Sequence, residues 1–75
     1  MNSSTKPIQV EATVKEALPH AMFRLQLIDG QPVLAHVAEE ARVRLTRILP
    51  GDTVAVEIAP LDLRRGRILR QITRS

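Results

Sequence analysis

Hydrophobic and polar positions alternate with a period of two along most of this chain. The cleanest run is Thr53–Ile58, where Thr53, Ala55 and Glu57 fall on one face and Val54, Val56 and Ile58 on the other. A period of two rich in β-branched residues is how a half-buried strand reads. Ahead of it stands Arg47-Ile48-Leu49-Pro50-Gly51-Asp52, a cationic entry followed by a Pro-Gly-Asp turn. Proline fixes φ and glycine accepts positive φ, so the pair sets a tight turn. The same alternation starts at Ile8, with Val10, Ala12 and Val14 opposite Gln9, Glu11, Thr13 and Lys15. Leu18-Pro19-His20-Ala21 breaks that first strand in a turn. A second strand spans Met22–Ile28, with Phe23, Leu25 and Leu27 opposite Arg24 and Gln26. Asp29-Gly30 then gives the strongest hairpin signal in the chain. Val33–Val37 is a third strand, entered through Pro32, which suits a first strand residue or an edge. After Thr53–Ile58, a loop at Ala59–Arg65 containing Pro60 leads to a fifth strand, Gly66–Ile72.

Between the third and fourth strands the pattern changes. Ala38-Glu39-Glu40-Ala41-Arg42-Val43-Arg44-Leu45 consists mostly of helix formers, acidic at its start and basic toward its end, which complements a helix dipole. One or two helical turns are expected over Glu39–Leu45. Five short strands with a short helix between strands three and four describe an all-β, five-stranded Greek-key barrel, the OB-fold. Closing the sheet suits a small core because it removes exposed edges. An SH3-like barrel is the competitor, and the expected helix favours the OB arrangement.

The 75 residues make one domain with a compact core, since a chain of ~60 residues buries only about 60% of its unfolded surface. The expected division is a mobile polar lead over 1–7, the barrel over 8–72 and a polar tail over 73–75. With no cysteine there is no disulfide, thiolate nucleophile or cysteine-ligated zinc, and a reducing compartment fits. No stretch reaches the ~18 apolar residues that span a bilayer, and Met1–Pro7 lacks the apolar run of a signal peptide. A cytoplasmic monomer without membrane contact is the expectation.

Net charge is +3, unevenly spread. Residues 1–41 carry three cations against five carboxylates, a balance of −2, and residues 42–75 carry eight arginines against three carboxylates, a balance of +5. A solvated charged surface would account for the total; the asymmetry points further, to a polyanionic partner met by one part of the fold. Nine arginines against two lysines sharpen that, because guanidinium forks onto phosphate oxygens. The candidates are Arg42, Arg44 and Arg47 in and after the helical insert, Arg64, Arg65, Arg67 and Arg70 in the last loop and strand, and Arg24 in strand two. OB barrels commonly bind through the face of strands two and three and the loops around it. Phe23 is the sole aromatic residue, so base stacking, at roughly 1–3 kcal/mol per base, is available at most once. Docking on a folded RNA through phosphates and shape fits better than sequence-tolerant single-strand binding. A general cold-shock-like RNA-binding or RNA-chaperone domain is the alternative, and a barrel meeting an acidic protein is a third reading.

Catalysis has little to stand on. Ser3, Ser4 and Ser75 lie in the terminal segments, and His20 and His36 sit in different elements with no third group to orient them. Glu39-Glu40 are adjacent and diverge on a helix. No glycine-rich phosphate loop and no metal-ligand spacing is present. The chain reads as a non-enzyme without cofactors.

Five motifs resemble bacterial translation initiation factor one in order and spacing, without gaps, over roughly Ile8 to Arg70. They are Leu18-Pro19-His20-Ala21-Met22-Phe23-Arg24, Asp29-Gly30, Ala35-His36, Arg47-Ile48-Leu49-Pro50-Gly51-Asp52, and Leu61-Asp62-Leu63-Arg64-Arg65-Gly66-Arg67-Ile68. The resemblance implies a non-catalytic OB-fold factor that occupies the aminoacyl (A) site of the small ribosomal subunit. Such a factor would contact decoding-region rRNA and the neighbouring ribosomal protein, block premature tRNA entry and cooperate with initiation factors two and three. By position, Arg42 and Arg47 match family arginines of the loop that inserts into that RNA. Arg65 and Arg67 match basic positions before the last strand, and His36 matches a histidine ending strand three. Departures also stand out. Ala38-Glu39-Glu40 replaces a typical Ser-Gly-Lys, Val43-Arg44-Leu45 replaces Lys-Asn-Tyr, and Ala12 replaces a strand-one glycine. Carboxylates beside phosphates oppose docking; Arg44, Arg70 and Arg74 offset them, a balance compatible with a divergent second copy.

Overall fold

The computed structural model describes residues 8–39 and 48–73. Five strands run in chain order: β1 Ile8–Leu18, β2 Met22–Leu27, β3 Pro32–Val37, β4 Thr53–Ala59 and β5 Asp62–Thr73. They close into one barrel in the order β1-β2-β3-β5-β4. All pairings are antiparallel except β3 with β5. The architecture is the expected all-β OB barrel. The expected helical turns over Glu39–Leu45 fall, from residue 40 onward, outside the described residues; among the described residues there is no α-helix.

The inward faces follow the alternation. Ala12, Val14, Leu25, Val33, Ala35, Val54, Val56, Ile58 and Ile68 form the core together with Ile48, and Val10, Phe23, Leu27 and Val37 pack against it. Ala55 departs from its expected polar face: only 6% exposed, it stands between Glu11 and Arg70 in register. At one point of the β3–β5–β4 seam the strands come unusually close. Gly66 pairs with Ala35 of β3 and Ile58 of β4. A Cβ at Gly66 would stand 2.7 Å from Val56 Cγ1 and 3.1 Å from the Glu57 carbonyl oxygen. Glycine is therefore what lets the strands approach there.

Strand ends differ from the pattern for identifiable reasons. β1 continues to Leu18 because a bulge between Val14 and Glu16 shifts the register, so Glu16 pairs with Arg24 and Ala17 with Phe23. An extra residue exchanges the faces, which a strict period of two does not anticipate. β5 begins at Asp62, not Gly66. Asp62 pairs with Ala59 across a tight Pro60-Leu61 turn, and Arg65 pairs with Leu34. The polar run Asp62–Arg65 reads as a loop only because the strand there is exposed.

The Leu49–Asp52 turn forms as the Pro-Gly pair predicts. Gly51 has φ of 96°, and Asp52 N–H donates to the Leu49 carbonyl at 3.0 Å. The turn is also tied to β1: Gly51 N–H donates to Val14 O at 2.8 Å, and Val14 N–H donates to Asp52 O at 2.9 Å. The Asp52 side chain, 1% exposed, accepts from Leu49 N–H at 2.9 Å and Gln71 Nε2 at 2.8 Å, both on Oδ2. A carboxylate this buried requires such donors.

Candidate nucleic-acid interface

The outward residues of β2, β3 and β5 come together in two neighbouring rows. In the first, Glu16 pairs with Arg24, Arg24 with Leu34 and Leu34 with Arg65. In the second, Met22 pairs with His36, His36 with Arg67 and Arg67 with Glu57. Arg24, Arg65, Arg67 and His36, widely separated in sequence, thus share one face. Two hollows open on it. One of 470 Å³ is lined by Pro32, Val33 and Leu34 with Arg24, Arg64 and Arg65. The other, of 250 Å³, is lined by His36, Arg65, Gly66 and Arg67 with Glu57 and Ala59.

Each of these three arginines is held by a carboxylate that composition alone does not reveal. Arg24 Nε lies 2.9 Å from Glu16 Oε1. Arg65 Nε lies 3.7 Å from Asp62 Oδ2. Arg67 donates twice to Glu57 Oε1, from Nη2 at 2.6 Å and Nε at 3.2 Å. Arg24 and Arg65 are 49% and 74% exposed, and pairs this wet add little to stability. The Arg24 pair contributes orientation, because a guanidinium bound through Nε keeps other N–H groups for a second acceptor, whereas Arg65 only faces its carboxylate. Arg67 and Glu57 are more enclosed, at 41% and 22% exposure, and form the firmest of the three pairs.

The remaining candidates are placed differently. Arg64 is exposed at the start of β5, its backbone N–H donating to Asp62 Oδ1 at 3.3 Å. Arg70 is not brought onto the same rows. The extra residue Leu69 shifts the register, and Arg70 stands opposite Ala55, with Glu11 of β1 beyond it. Arg42, Arg44 and Arg47 lie outside the described residues. Phe23 faces inward, partly buried against the core, so the one aromatic ring is a packing residue and not a base platform.

Sequence reasoning missed the carboxylate partners and Asp52. The Glu16–Arg24 pair was recoverable from the sequence, since pairing is symmetric about the Pro19–Ala21 turn. The Glu57–Arg67 pair was not, because it depends on register shifts in β4–β5. Among the described residues, no group of three or more His, Cys, Asp or Glu side chains could hold a metal ion. No helix among them is long and apolar enough to cross a membrane.

A sequence model of the family described as translation initiation factor 1A / IF-1 matches residues 1–75. The chain belongs to that family. The family's members are non-enzymatic translation factors. Among solved structures, the chain is similar to the solution structure of translation initiation factor one from the Wolbachia endosymbiont strain TRS of Brugia malayi. The two are 34% identical, the match covers 96% of this chain and 85% of that one, and the TM-score is 0.75. Family membership and fold agree on an RNA-binding OB barrel with a role in translation initiation.

Proposed function

We propose that this initiation factor binds the A site of the small ribosomal subunit through decoding-region rRNA and the neighbouring ribosomal protein. There it blocks premature tRNA entry and supports initiation factors two and three. The observation that carries the reading is the convergence of Arg24, Arg65, Arg67 and His36 on one outer face of β2, β3 and β5. Arg64 flanks that face. Arginines on a rigid sheet suit phosphates at fixed spacing in a folded RNA. Arg42, Arg44 and Arg47 would supply the inserting loop, and Arg70 a separate backbone contact around the barrel. The inward ring of Phe23 argues against the cold-shock-like alternative, because single-strand binding draws on exposed aromatic platforms.

Fluorescence-anisotropy binding to purified small subunits, with a decoding-region aminoglycoside as competitor, tests this. Salt-sensitive binding that the competitor displaces is expected, with Arg65→Ala plus Arg67→Ala weakening it at least about tenfold. Binding indifferent to the competitor, or melting of unrelated RNA hairpins with similar affinity, would remove the A-site assignment.

A further inference from the structure

We infer, resting on the small-subunit reading above, that Glu57 is a positioning residue: it aims Arg67 and so strengthens RNA docking, although its own charge opposes a polyanion. Glu57 of β4 and Arg67 of β5 are direct cross-strand partners. Arg67 donates to one carboxylate oxygen, Oε1, from Nη2 at 2.6 Å and from Nε at 3.2 Å. Two donors of a rigid fork on one acceptor fix the plane of the guanidinium as well as its distance. The backbone beneath the pair is fixed too. Val56, Glu57 and Ile58 face Ile68, Arg67 and Gly66 in unbroken register, and shifts bound that block on both sides. At its edge, a Cβ on Gly66 would lie 3.1 Å from the Glu57 carbonyl oxygen, so β4 and β5 approach closely beside the pair.

Two effects of this carboxylate oppose each other. Glu57 lines the 250 Å³ hollow with His36, Arg65 and Arg67, so its charge stands on the face that meets RNA. Like charges brought together across an interface cost affinity. Held against Arg67, however, the carboxylate restrains in advance a long side chain that would otherwise give up rotamer freedom on binding. Enclosure decides between the two. The Arg67 and Glu57 side chains are 41% and 22% exposed, against 49% and 51% for Arg24 and Glu16. The more enclosed pair is screened less by water and salt, so its cation offsets more of the carboxylate's field and its geometry holds better. A functional side chain has to be held to within about 0.5 Å by supporting hydrogen bonds to meet its target.

The test uses the full chain with Glu57→Met, which removes the acceptor and the charge, and measures affinity for purified small subunits at one fixed salt concentration. Thermal melting of each variant checks the fold. Charge alone predicts tighter binding for Glu57→Met, since a carboxylate leaves an RNA-facing surface. The positioning role predicts the opposite sign, binding about fivefold weaker in a protein that still melts cooperatively. Glu57→Gln, which keeps shape and one acceptor oxygen, should recover part of that loss. In an Arg67→Ala background Glu57→Met should cost nothing further, because the residue it aims is gone; a merely loosened barrel would lose affinity in both backgrounds. Equal or tighter binding by Glu57→Met with Arg67 present, or the same loss in both backgrounds, would overturn the inference alone. Binding indifferent to Arg67→Ala would overturn it together with the arginine-face mode of docking.

Discussion

Two turns in this barrel use the same local chemistry to different ends. The β2–β3 turn and the Leu49–Asp52 turn each contain a left-handed glycine, Gly30 at φ 91° and Gly51 at φ 96°. Each also has an aspartate accepting from a nearby backbone N–H: Asp29 from Gln31 at 3.0 Å, Asp52 from Leu49 at 2.9 Å. There the likeness ends. Asp29 is exposed and its bond stays within the loop, whereas Asp52 is buried and reaches 19 residues along the chain to Gln71. The first turn reverses the chain; the second ties β1 and β5 together. A short motif thus states that a turn forms, and its burial decides whether the turn is a connection or a tertiary knot.

The aspartates should break the comparison most sharply. Asp52→Ala strands two partly buried donors and is expected to cost about 3 kcal/mol. Asp29→Ala, in water, should cost about 0.5 kcal/mol. Urea denaturation of both variants reads the difference, and equal losses would mean that the burial of Asp52 contributes nothing. The glycines should instead behave alike. Gly30→Ala and Gly51→Ala each force a Cβ into the left-handed region at about 1 kcal/mol, so their denaturation midpoints should fall by similar amounts. The β1–β2 turn sharpens the point from the other side. It places His20 at φ 65° and Ala21 at φ 59° without any glycine. Ala21→Gly should therefore raise stability by about 0.5 kcal/mol, visible as a higher melting temperature. A fall would show that the strained backbone is compensated by contacts of the Ala21 methyl.

Much of the barrel was legible in the pattern of the chain. Val54, Val56 and Ile58, and likewise Ala12 and Val14, turned inward as their alternation required. Asp29-Gly30 and Pro50-Gly51 marked real turns. What escaped the pattern was register. The bulge after Val14 and the shift at Leu69 exchange faces mid-strand, and no local property of Lys15 or Leu69 announces them. The polar start of β5 was hidden for a related reason, since an exposed strand with no inward apolar residues looks like a loop. For the candidate site, the sequence offered the arginines as candidates but not their arrangement. Arg24, Arg65 and Arg67 became neighbours only through the parallel β3–β5 pairing, and Arg70, three residues beyond Arg67, is turned outward by a single residue of bulge. Carboxylate partners were invisible in a net-charge count, because a balance of charges says nothing about which ones touch.

In the proposed mode, the arginine face and the segment ending at Arg47 together dock this factor on decoding-region RNA. Nucleotide-resolution chemical protection of small-subunit rRNA by the bound protein probes that docking without an intermediary. Protection confined to the decoding region, lost with Arg42→Ala plus Arg47→Ala and weakened with Arg65→Ala plus Arg67→Ala, is the expected result. Protection elsewhere, or a decoding-region footprint indifferent to both pairs of substitutions, would refute it.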